Sequence, residues 1–288
     1  MLKTTIRSAL GIAAALSILV APTAFADTKA SKIVAIGGSV TEVVYALGEQ
    51  NRLVARDTTS TFPQEATGLP DVGYIRALSP EGVLSIDPDL ILALEGSGPP
   101  EAFEVLKKAS VPVVTIPAHF DREGIVAKIK AIGSALGVDD KADALAERVN
   151  ADILDAETRA AGRSEPKRVL FLLSLSGGKI MAAGSDTSAA SIIEMAGGRN
   201  ALSGITGFKQ ITGEAAIEAA PDVILVMTRT GDHGISAETV RQHPALAATP
   251  AAQNDRIVRM SGLYLLGFGP RTAEAIRDLS DAINDEGR

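Results

Sequence analysis

The chain has 288 residues, no cysteine, and 35 aspartates and glutamates against 28 lysines and arginines. Without cysteine there is no disulfide, no thiolate metal site and no cysteine nucleophile, so a fold of this size rests on its own hydrophobic core. The acidic balance excludes the basic footprint that a nucleic-acid partner requires, while leaving room for an anionic ligand in a locally basic pocket.

Residues 1–26 read as a signal peptide. Lys3 and Arg7 form a basic start, ALGIAAALSILV supplies the apolar run, and AFA before Asp27 puts small residues where a signal peptidase cleaves. The run is shorter than the roughly 20 apolar residues that span a bilayer, and no cysteine is available for lipid attachment. The mature chain is therefore expected to begin at Asp27 and to be exported and soluble. Removing Lys3 and Arg7 from the 28 basic residues leaves 26 against 35 acidic ones, a net charge of −9.

IVAI (33–36) predicts a buried strand, followed by a Gly37-Gly38-Ser39 turn in which Ser39 is placed to cap a short helix that Gly48 ends. RLVARD (52–57) predicts a second strand, and a polar, proline-containing loop follows it. SPEGVLSI (79–86) opens a helix: Ser79 stands at the cap, Pro80 at the first helical position and Glu81 in the first turn, each suited to the unpaired backbone donors there. DPDLILAL (87–94) is a turn feeding a strand, EAFEVLKKAS (101–110) a helix and VPVVTI (111–116) a further strand. Apolar strands without two-residue alternation, separated by helices, imply a parallel sheet covered on both faces.

Between about residues 121 and 160 the pattern becomes continuously helical, with a second stretch, DKADALAERVNADILDAETRAA, carrying charges at i,i+4 spacing. GRSEPK (162–167) breaks it. The half that follows repeats the first: PKRVLFLLS with SAASIIEMAGG mirrors SKIVAIGGSVTEVVYALG, and ITGEAAIEAAPDVILVM mirrors LSPEGVLSIDPDLILAL. Glu81, Pro88 and Asp89 are matched at a constant offset by Glu214, Pro221 and Asp222. The expected fold is α/β: two similar lobes with parallel-rich central sheets, joined by one long backbone helix, with a ligand cleft between them. The boundaries read as 27–120 for the first lobe, 121–166 for the linking helical segment and 167–288 for the second lobe.

Familiar catalytic patterns are missing. There is no GxGxxG, no phosphate loop in FGPRTAE, no GxSxG and no HExxH, and His119, His233 and His243 share no metal-ligand spacing. An exported hydrolase is thus poorly supplied, whereas a binding cleft has candidates on the loops after the strands: Gly37 to Ser39, Tyr74 and Arg76, Glu95 to Ser97, His119, LSGGKIMAAG (175–184), Arg229 and GLY (262–264). Tyr74, between Gly73 and Ile75, reads either as an ordinary loop anchor or as an axial ligand for ferric haem, since a phenolate is a hard anionic oxygen that a nearby guanidinium stabilises.

IVAIGGSVTEVVYALG, LPDVGYIRALSPEGVLSIDPDLILA, MAAGSDTSAASIIEMAGGRNA and PDVILVMTRTGDHG together resemble the periplasmic haem-binding proteins of bacterial ABC importers, in the long-helix class that includes cobalamin- and ferric-siderophore-binding proteins. The resemblance covers nearly all of residues 31 to 288 and implies binding and delivery of haem b, as ferric hemin, with no catalysis. It puts the iron ligand at Tyr74 in VGYIR, propionate partners at Arg76 and Arg229, and permease-docking acids at Glu81 and Glu214. The partners it implies are haem, an inner-membrane permease dimer and an outer-membrane haem receptor pathway upstream. Some relatives supply a second-lobe histidine near SLSGGK as a further iron ligand; this chain has none there, which leaves the iron five-coordinate or its second ligand unassigned, with His119 and His233 as substitutes. A siderophore or cobalamin cargo is the alternative within the class.

Overall fold

The structure, a computed structural model, describes residues 30–163, 165–228 and 234–285; the expected signal peptide lies outside them. In the first lobe β1 (Ile33–Ile36) leads into α1 (Gly38–Ala46), and β2 (Leu53–Arg56), α2 (Pro80–Leu84), β3 (Leu90–Leu94), α3 (Pro100–Lys108) and β4 (Val113–Ile116) complete a sheet ordered β2-β1-β3-β4. All its pairings are parallel. Its central strands are buried on both faces, which explains why they read as unbroken apolar runs.

Two helices follow, α4 (Arg122–Leu136) and α5 (Asp139–Ala161). Asp121 caps α4 by accepting from the Gly124 amide at 2.6 Å, and Gly137 ends it in a left-handed conformation. The 23-residue α5 is about 34 Å long by its rise per residue. Its buried stripe of Ala142, Leu145, Ala146, Val149, Ile153, Ala156 and Ala160 recurs at three- and four-residue steps and enters a core shared with residues from both sheets.

The second lobe contains β5 (Arg168–Ser176), β6 (Lys179–Ala183), α6 (Ser188–Met195), β7 (Arg199–Asn200), β8 (Phe208–Ile211), α7 (Gly213–Glu218), β9 (Val223–Thr228), α8 (Ala237–Gln242), α9 (Pro244–Ala247), α10 (Pro250–Gln253), β10 (Ile257–Ser261), α11 (Gly262–Leu266) and α12 (Thr272–Asn284). Its sheet runs β10-β9-β5-β6-β8, with β7 beside the start of β5. Two expectations need correction. The stretch 175–184 is a hairpin of β5 and β6 and not an open loop: Gly177 and Gly178 both take positive φ, 56° and 74°, the geometry of a two-residue turn that matches strand twist. Ser39 is not a cap either. Gly37 holds that position without a side-chain bond, and Ser39 lies buried inside the first turn of α1.

The repeat survives in hydrogen bonding. Asp89 accepts from the amides of Ser31 and Lys32 at 2.8 and 2.9 Å, while its own amide donates to the Lys32 carbonyl. Asp222 accepts from the Arg168 amide at 2.7 Å and from its guanidinium at 3.0 Å, and its amide donates to the Arg168 carbonyl. Each Pro-Asp pair therefore fastens the start of one central strand to the start of its neighbour. Burial alone pushes both carboxyls up, but these donors outweigh it and hold each below the usual carboxylate range.

Asp222→Asn is accordingly expected to destabilise the protein by about 1–2 kcal/mol at neutral pH, modest because the carboxylate is 35% exposed. A carboxyl lowered on folding contributes fully above its unfolded value and loses that contribution as pH falls through the folded one. In urea denaturation the gap between wild type and variant should close as pH is taken from about 5 towards 2; a gap of constant size contradicts this account.

Candidate ligand-binding cleft

Parallel strands deliver their following loops to one edge of each sheet, and the two edges face one another. In the first lobe that edge is organised by Asp57, which is fully buried at the end of β2. Its carboxylate accepts from the Gly37 amide at 2.9 Å, from the Thr59 amide and hydroxyl at 3.0 and 2.6 Å, and from the Ser60 hydroxyl at 2.7 Å. One side chain thus fixes the turn after β1 to the loop after β2.

Tyr74 and Arg76 lie on a neighbouring turn closed by the Ala77 amide and the Tyr74 carbonyl, 2.7 Å apart. Ile75 pins this turn inward. It packs on the apolar cluster behind the sheet, its carbonyl accepts from the Gly98 amide at 2.9 Å, and the Gly98 carbonyl accepts from Leu78 at 3.0 Å. The residues on either side of it stay outside: Tyr74 is 49% exposed, Arg76 is exposed, and neither side chain has a hydrogen-bond or ion-pair partner among the described residues. Arg229 and His233, named from the sequence, lie outside the described residues.

The other two tyrosines differ in kind. Burial pushes the Tyr45 phenol up, with Glu65 adding to it. Burial also raises Tyr264, whose hydroxyl donates to Asp278 at 2.9 Å and gains further protection from ionisation there. Both are held as neutral phenols. His119 is exposed, and His243 lies 3.4 Å from the Gly178 carbonyl at the hairpin turn. No group of three or more potential metal-ligating side chains occurs among the described residues.

Glu81 and Glu214 are both exposed in the first turns of α2 and α7. Ser79 caps the first helix and Thr212 the second, accepting from Gly82 and Ala215 at 3.2 and 3.1 Å. The Glu81 carboxyl is lowered by its own backbone amide and by the Ser79 hydroxyl at 2.9 Å.

Sequence reasoning missed the junction at the base of the two edges. Lys128 of α4, 1% exposed, donates to the Phe268 carbonyl at 2.8 Å and to Ser39 and Gly267 at 3.3 Å. Burial pushes its ammonium down to about 8, against the pull of Glu42. Glu42 of α1, 5% exposed, receives a two-pronged bond from Arg271 at 2.9 and 3.0 Å. The guanidinium carbon lies 3.4 Å from the Phe62 ring centre and 5.0 Å from that of Tyr264. A cavity of about 410 Å³ opens beside it, lined by Thr61, Phe62, Ser261, Leu263, Tyr264, Arg271 and Glu274. Gly38 permits the closest approach, since a Cβ there would lie 2.5 Å from Leu263. FGPRTAE, which had suggested only the lack of a phosphate loop, contains the arginine; its partner lies more than two hundred residues away, and no local pattern signals such a pair.

A family profile described as "Periplasmic binding protein" matches residues 33–262. The solved periplasmic heme-binding protein BhuT, in complex with two hemes, is similar at 40% identity and a TM-score of 0.82, over 88% of this chain and 98% of that one. Periplasmic heme-binding protein RhuT from Roseiflexus sp. RS-1, in apo form, is similar at 36% identity and a TM-score of 0.84, over 90% and 99%. The vitamin B12-binding protein of Yersinia pestis (strain Pestoides F) is 26% identical over 199 residues, 68% of this chain and 69% of that protein. The chain belongs to the periplasmic binding protein family. It is a periplasmic substrate-binding protein of the ABC-importer class, a transport component and not an enzyme.

Asp57→Ala should release the turn after β1 and the loop after β2 from one another. The expected loss is about 2–4 kcal/mol, because buried donors are left unpaired at several points. Amide hydrogen exchange should accelerate at residues 37–39 and 58–62 well beyond the rest of the sheet; uniform acceleration would show that the carboxylate has no local organising role.

Proposed function

We propose that this protein binds ferric haem b between its lobes and delivers it to the permease dimer of an inner-membrane ABC importer, downstream of an outer-membrane haem receptor. Tyr74 is the axial iron ligand, Arg76 and Arg229 meet the propionates, and Glu81 and Glu214 face the permease. The lobes are taken as 27–120 and 167–288, with 121–166 between them. The observation that carries this reading is the Tyr74 turn. A half-exposed phenol and, two positions on, an exposed guanidinium, neither with a hydrogen-bond or ion-pair partner among the described residues, share a backbone held by Ile75, in a chain whose solved relatives at 40% and 36% identity are heme-binding proteins. A phenol already committed to an internal acceptor, as Tyr264 is to Asp278, has less to offer a ferric ion.

Tyr74→Phe keeps the ring and removes only the oxygen. The variant should fold normally, lose the phenolate-to-iron charge-transfer absorption, and bind hemin more weakly by a larger factor than the roughly 10–100-fold typical of losing an outer-shell partner. Arg76→Ala should fall within that smaller range. An unchanged hemin spectrum and affinity in Tyr74→Phe would refute the ligand assignment. Titration of the wild type with aquocobalamin, prompted by the vitamin B12-binding relative, separates the alternative cargo: tight cobalamin binding without hemin binding overturns the haem reading.

The docking acids are supported by their matched places at the first turns of α2 and α7. One carboxylate per lobe suits a two-fold partner, supplying orientation more than affinity. Reversing both to lysine should leave hemin titration nearly unchanged and abolish haem transport into importer-containing proteoliposomes, since like charges placed together across an interface cost several kcal/mol. Normal transport by the double variant removes the docking role.

A further inference from the structure

Three elements that move independently if the lobes rock are joined at one charged junction: α1 of the first lobe through Glu42 and Ser39, the linking helix α4 through Lys128, and the turn before α12 of the second lobe through Gly267, Phe268 and Arg271. The bonds are directional. Arg271 grips Glu42 with both prongs, and Phe268 takes a left-handed φ of 49° with its carbonyl accepting from Lys128. Phe120, four residues after β4, adds a ring contact to Phe268 at 5.3 Å between centres. A surface ion pair tolerates such movement at little cost, but a pair withdrawn from water does not, because separation leaves a buried charge uncompensated. Replacing such clusters by apolar residues is often neutral for stability, so what this cluster adds beyond apolar packing is direction: its bonds fix where three elements stand relative to one another.

We propose that the Lys128, Glu42 and Arg271 cluster is an inter-lobe latch that fixes the aperture of the cleft, so that ligand enters a pre-set gap and the lobes do not close on it. These are positioning residues: they act on the ligand through the separation of the two edges. The link to hemin capture rests on the haem reading above; the aperture itself does not.

The chain has no cysteine, so spin labels at Lys108→Cys and Lys209→Cys, exposed positions on α3 and β8, report lobe separation by pulsed electron resonance without interference. The wild type should give one narrow distance that changes by less than about 2 Å when hemin is added. Glu42→Gln, which keeps shape and removes charge, should at least double the width of the distribution and speed hemin dissociation by about tenfold through lost pre-organisation. Arg271→Lys, which keeps the charge and drops the fork, should act in the same direction and serves if Glu42→Gln does not fold. Leu279→Ala, a buried change in α12 away from the cluster, should lower the melting temperature and leave the distribution narrow. A narrow distribution in either folded junction variant overturns the latch, as does broadening by Leu279→Ala equal to theirs. A wild type that shows the expected distances without binding hemin refutes the cargo and leaves the latch standing.

Discussion

Glu42 and Lys128 are charged groups taken almost wholly out of water, and the arrangement around the base of the cleft follows from that cost. A buried carboxylate requires donors on both oxygens, and a buried ammonium requires acceptors in several directions. No single lobe supplies them. Arg271 reaches Glu42 from the second lobe, and Lys128 comes from the linking helix to meet carbonyls of the second lobe and a hydroxyl of the first. Beside them Gly38 is bare enough for Leu263 to approach, since a Cβ there would lie 2.5 Å from it. Satisfying two charges therefore brings the sheet edges to a defined separation, on which any site built from both edges depends.

The long helix supports that junction from behind. Its buried stripe belongs to a core containing the inward faces of both sheets, with Ile33, Ala35 and Leu92 on one side and Val169, Phe171 and Leu225 on the other. Each fully buried aliphatic side chain is worth about 1.5–3 kcal/mol, and these residues bind both lobes to one continuous core. The outer faces have clusters of their own, so each lobe is packed on both sides while sharing only the inner one. Non-directional packing holds the lobes together; directional bonds at the junction set their angle.

How much of this was legible depended on how local each signal was. Strand and helix order followed from apolar runs and from the Ser79 cap, because that contact lies within four residues; the Asp121 cap of α4 was not singled out. The internal repeat was legible because Asp89 and Asp222 do the same work at the same place in each lobe. The hairpin at Gly177 and Gly178 was read as a loop, since two glycines between Ser176 and Lys179 mark a turn without saying whether the flanks pair. Ser39 was read as a cap from its residue type, yet its hydroxyl is occupied by a lysine 89 positions away. The turn bearing Tyr74 could be picked out, but its exposure depends on Ile75 gripping Gly98, a contact no periodicity announces.

The cleft and its base divide the polar chemistry in opposite ways. At the base Glu42 and Lys128 lie out of water with their partners made, and Arg271, partly open to the cavity, is committed to Glu42 by both prongs, so the group has little capacity left for a ligand. At the edge, Tyr74 and Arg76 have no such partners among the described residues and their side chains remain exposed, although the backbone beneath them is tied at Ile75. Unspent hydrogen-bonding capacity on a fixed backbone favours binding, because the ligand need not break internal bonds or order a loose segment before it gains its own. Exposed tyrosine and satisfied glutamate thus mark the two ends of one arrangement: side chains with hydrogen-bonding capacity to spare at the edge, and at the base side chains whose capacity is already used in joining the lobes.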